Sequence, residues 1–148
     1  MSAYRTVVVG TDGSDSSLRA VDRAGQIAAG SNAKLIVATA YFPHGDDQKH
    51  PEVLKAEGYK MHGNAPIYAM LRDARDRAKA AGAHEVEEKA VVGAPVDALV
   101  DFAEEVKADL LVVGNVGLST IAGRLLGSVP ANLARRSKTD VLIVHTTP

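Results

Sequence analysis

The sequence predicts an α/β fold built on a parallel sheet, and three observations lead there. Short continuous apolar runs, VVV from residue 7, LIVATA from 35, LLVV from 110 and VLIV from 141, read as strands buried on both faces. Between them lie segments whose apolar residues recur three and four positions apart, the period of an amphipathic helix. Glycine, serine and asparagine punctuate the joins, where the backbone must turn. Strands alternating with helices imply right-handed crossovers and helices on both faces of the sheet.

Residues 6–10 are the first strand, closed by Gly10, and TDGSDSS turns into a helix with Leu18, Val21, Ala24 or Gly25, and Ala28 inward. Gly30, Ser31 and Asn32 read as the turn before a second strand at 35–40. From 42 to 63 the pattern is lost over a stretch longer than most connections in a compact domain. Insertions of this kind form lids, interface loops or mobile segments, and a short helix fits 51–58. Asn64-Ala-Pro starts the next helix, with Ile67, Leu71, Ala74, Ala78 and Ala81 on one face and Gly82 as its stop. VEEKAVV at 86–92 is the most polar strand, and charges within a strand protect an exposed edge. Gly93-Ala-Pro95 opens a helix with Val96, Leu99, Val100, Ala103 and Val106 along one face. The strand at 110–113, a glycine-bearing loop, a helix from about Ser128 to Lys138 and the strand Val141, Leu142, Ile143, Val144 complete the chain.

Composition narrows the function. With 148 residues, 46% of them hydrophobic and 24% charged, the chain reads as a single domain over 1–148 with the inserted loop at about 42–63. No run approaches the roughly 18 apolar residues of a membrane span, and the apolar run in MSAYRTVVVG is too short for a signal peptide, so a cytoplasmic location is expected. The absence of cysteine excludes disulfides, thiolate nucleophiles and Cys-based zinc sites. A net charge of -1, with both signs spread along the chain and no Trp, gives neither the basic field nor the stacking platform of nucleic-acid binding.

The stretch from 110 to 132, LLVVGNVGLSTIAGRLLGSVPAN, concentrates the functional signal. Gly114 ends the strand, and several glycines in one loop suggest positive φ angles or close approach of backbone to a ligand. Ser128 is an N-cap type and Pro130 suits a first turn, so a helix starts here with its unpaired N–H groups facing the loop, an arrangement that attracts anions.

The spacing G-x2-G-x9-G-S, formed by Gly114, Gly117, Gly127 and Ser128, resembles the nucleotide-binding signature of the universal stress protein family. The resemblance covers nearly the whole chain: VVVGTDGSDSS from residue 7 is similar to that family's first strand and turn, VGAP at 92–95 to the start of its third helix, and DVLIVH at 140–145 to its last strand. In detail it resembles the small mycobacterial members, a subgroup associated with cyclic AMP as well as ATP. The resemblance implies a five-stranded sheet of order 3-2-1-4-5, Rossmann-like and of the adenine nucleotide alpha hydrolase-like type. That order places the first and fourth strands side by side at the switch point, where open α/β sheets bind ligands. It also leaves the fifth strand at an edge with no charge, proline or bulge signal in VLIV, so a two-fold homodimer through Val141 to Val144 is expected, as is common in the family.

Each candidate residue has an ordinary reading beside the functional one. Gly114, Gly117, Gly127 and Ser128 hold phosphate oxygens, or form a glycine-rich turn and an N-cap; no Gly-Lys-Ser or Gly-Lys-Thr occurs, so any phosphate rests mostly on backbone dipoles. Asp12 is an Asx-type turn residue, and the resemblance adds nucleotide contact on the opposite wall. Its carboxylate repels a triphosphate unless Mg2+ intervenes, whereas cyclic AMP carries a single charge. Thr39 and Ala40 match positions where the family contacts adenine through the backbone, Gly10 and Thr11 complete the floor, and Val116 and Val129 offer apolar contact or belong to the core. Arg124 screens a phosphate or is a solvated loop cation. His44, Asp46, Asp47 and His50 suggest a metal site, but polar loops commonly look like this and no metal is assigned. His62 and His84 read as loop residues, and His145 as a cap on an edge or interface. Without a G-x-S-x-G elbow, an H-E-x-x-H pair or paired carboxylates, no catalytic residue is assigned; the expectation is a protein that binds cyclic AMP as sensor or sequestering protein, with an ATP-binding protein of weak or no ATPase activity as the alternative.

Overall fold

The computed structural model of the chain describes residues 4–42, 65–115 and 128–146. Its strands are β1 (Thr6–Gly10), β2 (Lys34–Tyr41), β3 (Glu85–Val92), β4 (Leu110–Gly114) and β5 (Asp140–Val144). The helices are α1 (Asp15–Ser31), α2 (Ala65–Ala80), α3 (Pro95–Glu105) and α4 (Ser128–Arg136). All neighbouring strands pair in parallel in the order β3-β2-β1-β4-β5, as the resemblance implies.

Alternation along the central strands sends side chains to two separate cores. Val7, Val9, Leu35, Val37, Leu110 and Val112 join α1 and α2 on one face, through Ala20, Val21, Ala24, Leu71, Ala74 and Ala78. Val8, Ile36, Ala38, Leu111 and Val113 join α3 and α4 on the other, through Leu99, Phe102 and Leu133. Leu71 and Leu133 are fully buried, each contributing about 2 kcal/mol of apolar transfer. The close contact of α1 with α2 depends on Gly25, where a Cβ would lie 2.8 Å from the carbonyl oxygen of Ala78.

Two helix ends differ from the sequence reading. Gly30 and Ser31 are not turn residues: α1 runs through both and closes at Asn32, whose φ of 54° and ψ of 43° are left-handed and whose N–H donates to the carbonyls of Ala28 and Ala29. Open space surrounds Gly30, so glycine there is tolerated within the helix rather than required to end it. Toward the other end of the chain, α4 begins at Ser128 as expected but stops at Arg136, two residues before Lys138. There the N–H of Ser137 closes the last turn on the carbonyl of Leu133 at 3.0 Å.

Candidate functional site

The carboxyl ends of β1 and β4 lie side by side, since Val7, Val8 and Val9 pair with Leu110, Leu111 and Val112. From this junction the chain leaves β1 toward α1 on one face, while the loop after β4 leads to α4 on the other. Such a divergence opens a crevice beyond the strand ends. Of the predicted residues, the fold brings Gly10, Thr11, Asp12 and Gly114 to this place, with Thr39 and Ala40 beside them on β2. Val116, Gly117, Arg124 and Gly127 lie outside the described residues, as do the side chains of Ser128 and Val129. The inserted segment from 43 onward with His44, Asp46, Asp47, His50 and His62 lies outside them too.

The first wall, residues 10–17, is closed by hydrogen bonds within itself and to β2. Gly10 pairs with Ala38, and the Thr11 N–H donates to the Ala38 carbonyl at 2.9 Å. Ser17 is buried under the turn, where its hydroxyl donates to the Ser14 carbonyl at 3.0 Å and accepts from the Asp12 N–H at 3.3 Å. Because that single proton is used, the 2.7 Å contact between Ser17 and the buried Thr11 has Thr11 as donor. The Thr11 oxygen then accepts from the Gly13 N–H at 3.0 Å. Asp12 makes the expected Asx turn, its Oδ1 accepting from the Ser14 N–H at 2.9 Å. Ser14 in turn caps α1 by accepting from the Ser17 N–H. Gly13 has φ +84°, and a Cβ on it would lie 2.7 Å from Cγ of Met70 on α2, so both backbone and space demand glycine.

The consequence is chemical. The main-chain N–H groups of residues 11, 12, 13 and 14 each have a protein acceptor, so this wall presents the exposed carboxylate of Asp12 and not a nest of donors. It suits ligand hydroxyl or amino groups better than phosphate. Beside it, β2 runs past the end of β1: Thr39 and Ala40 pair with Ala90 and Val91 of β3, Thr39 buried and Ala40 half-buried. Their small side chains limit the bulk on this flank.

Sequence reading missed a second polar cluster at the far side of the crevice. Asn115, the residue after Gly114, donates its N–H to the Val144 carbonyl at 2.9 Å and extends the β4–β5 ladder. Its Oδ1 accepts from both the N–H and the hydroxyl of Thr146, at 2.9 and 2.8 Å. Thr146 is buried, and its oxygens also meet the Ser16 hydroxyl and the Arg19 guanidinium of α1. The Nδ2 of Asn115 lies 3.4 Å from Nδ1 of His145. No signal in the sequence links residues so far apart. Among the described residues there is no group of three or more His, Asp or Glu side chains suited to a metal, and no helix long and apolar enough to cross a membrane.

Comparison with known proteins identifies the family. Residues 3–145 match the family model described as the universal stress protein family. The chain is 71% identical to the universal stress protein Rv1636 of Mycobacterium tuberculosis over 147 residues, covering 99% of this chain and 100% of that protein. Among solved structures, it is similar to a universal stress protein in complex with cAMP, with 75% identity, a TM-score of 0.77, and 99% of this chain and 100% of that one covered. It is also similar to the Archaeoglobus fulgidus universal stress protein in complex with dAMP, with 26% identity, a TM-score of 0.65 and coverage of 95% and 97%. The chain therefore belongs to the universal stress protein family.

Proposed function

We propose that this chain binds an adenine nucleotide in the crevice between β1 and β4, taking cyclic AMP in preference to ATP, and that it senses or sequesters its ligand without turning it over. The observation that carries this reading is the 75% identity, across 99% of the chain, to a protein crystallised with cAMP. The first wall supports the choice of ligand. With its N–H groups already used and Asp12 exposed, it offers acceptors to hydroxyl or amino groups and repels negative charge. A unit charge about 6 Å from a carboxylate costs roughly 3 kcal/mol at an effective dielectric of about 20, so a singly charged cyclic monophosphate is tolerated better than a triphosphate lacking Mg2+.

In this reading Gly10, Thr11 and Asp12 form one wall and Thr39 and Ala40 flank the base, while Gly114, Gly117, Gly127 and Ser128 hold the phosphate and Val116 and Val129 give apolar contact. An abundant binder of modest affinity buffers free ligand by mass action, so no catalytic group is required. The assembly is a homodimer paired through β5, an edge strand whose Ile143 is 40% exposed.

Calorimetric titration of nucleotide-stripped protein with cyclic AMP, and with ATP in the presence and absence of Mg2+, tests the reading. Tighter binding of cyclic AMP without metal is expected, together with no Mg2+-dependent phosphate release from ATP. Preference for the magnesium complex of ATP would replace the cyclic AMP reading with an ATP-binding one. Gly114→Val, which sets a β-branched side chain at the exit of β4, is expected to abolish saturable binding in a folded protein; unchanged affinity would remove this loop from the site.

A further inference from the structure

Thr146 touches both sides of the crevice. From the β1 side, α1 reaches it twice: Ser16, in the first turn of α1, meets its hydroxyl, and Arg19 Nη1 donates to its carbonyl at 2.6 Å. From the β4 side, Asn115 Oδ1 takes both its N–H and its hydroxyl proton. The donor order follows: the Thr146 hydroxyl gives its proton to Asn115, so the Ser16 hydroxyl donates to Thr146. With Thr146 only 5% exposed, these bonds are poorly replaced by water, and losing one leaves a buried polar group without a partner.

The position of this clasp matters more than its strength. Asn115 follows the last residue of β4 directly and precedes the loop that carries Gly117 and Gly127. Thr146 lies two residues beyond the end of β5, the sheet edge with an exposed isoleucine. Any shift of the β4 exit on ligand binding is therefore passed to Thr146 and α1 through the Asn115 side-chain amide, and to the end of β5 through that amide and the Asn115 main-chain N–H. We infer that Asn115 and Thr146 are positioning residues, which hold the two crevice walls in register and couple occupancy of the crevice to the carboxyl end of β5. This rests on the nucleotide reading above.

Two measurements test it. In the unmodified protein, hydrogen exchange at the Thr146 amide, whose acceptor is Asn115, should slow about tenfold on saturation with cyclic AMP, within the roughly 5- to 150-fold range of ordinary coupling. Thr146→Val keeps the shape of the side chain but removes its hydroxyl, and should weaken cyclic AMP binding about tenfold while Thr146→Ser restores it to within about twofold. A purely structural role would lower the melting temperature of Thr146→Val without changing the affinity of the folded protein. Unchanged exchange on ligand binding, or equal affinities of the unmodified and Thr146→Val proteins, would overturn the coupling. If Thr146→Val fails to fold, exchange in the unmodified protein decides alone. Failure of the unmodified protein to bind any adenine nucleotide would instead reject the site reading itself, and the coupling with it.

Discussion

The two edges of the sheet are built on opposite principles. β3 is long, eight residues, and its sequence EVEEKAVV places charged side chains along the exposed margin. Lys34 Nζ meets Glu87 Oε2 at 2.7 Å and Arg75 Nη1 meets Glu88 Oε2 at 2.8 Å, so Glu87 is tied to β2 and Glu88 to α2. β5 has five residues, its only charge is Asp140 at the start, and Ile143 stands 40% exposed between half-buried Leu142 and buried Val144. Beside it a cavity of about 370 Å3 is lined by Tyr4, Ile27, Leu110, Asp140, Val141 and Leu142. Charge on an edge strand opposes pairing with another chain, and a bare apolar edge invites it. One edge thus carries charge that opposes pairing with another chain over most of its length, whereas the other carries charge only at its start.

The largest effect is expected from giving β5 the character of β3. Ile143→Lys should convert the dimer we propose into a folded monomer, raising the dissociation constant more than about 100-fold, the effect of roughly 3 kcal/mol at the centre of an interface. Sedimentation equilibrium with circular dichroism checks both halves of the statement, and an intact dimer would move the interface elsewhere. A smaller effect is expected from stripping charge off β3. Glu88→Ala should cost about 1 kcal/mol, because its arginine partner is only about one-third exposed, and Glu87→Ala about 0.3 kcal/mol at a more exposed pair. Neither substitution should change the oligomeric state, so denaturant titration and sedimentation separate the stability of this edge from its lack of stickiness.

The smallest effect sharpens the comparison at alkaline pH. At the β5 side, the hydrogen bond that Tyr4 donates to Asp140 raises its pKa above 10.0, with burial and the Asp140 charge adding to it. At the β3 side, the hydrogen bond from Lys34 to Glu87 raises its pKa above 10.5, with desolvation opposing. Both groups bind their proton more tightly in the folded state, so each contribution is complete below the unfolded value and is lost as pH rises through the folded one. A small fall in melting temperature is expected above about pH 10 and none between pH 7 and 9 from these groups. Tyr4→Phe should remove the tyrosine share of that fall and Glu87→Ala the lysine share, which assigns the alkaline loss to one edge or the other.

Much of this molecule was legible along the chain because its strands and helices answer to local pattern. Continuous apolar runs and alternating helical stripes placed every described strand and helix, and the charges of VEEKAVV marked β3 as an edge before the sheet order was seen. Gly30 misled because turn-forming residues also occur on open helix surfaces, where nothing forces them to end the helix. Asp12 read correctly as a turn residue because its acceptor lies two positions from its donor. Local pattern was therefore enough for the strands and helices and their succession along the chain, while the strand order that sets the ends of β1 and β4 side by side came from the family resemblance. What the turn after β1 offers a ligand depended on the folded structure. Ser17 consumes the Asp12 N–H, Thr11 that of Gly13, and Ser16 joins Thr146 across 130 positions. The reason is physical: a helical or strand period is set by neighbouring residues, whereas a hydrogen bond between distant side chains exists only once the folded backbone has brought donor and acceptor within reach.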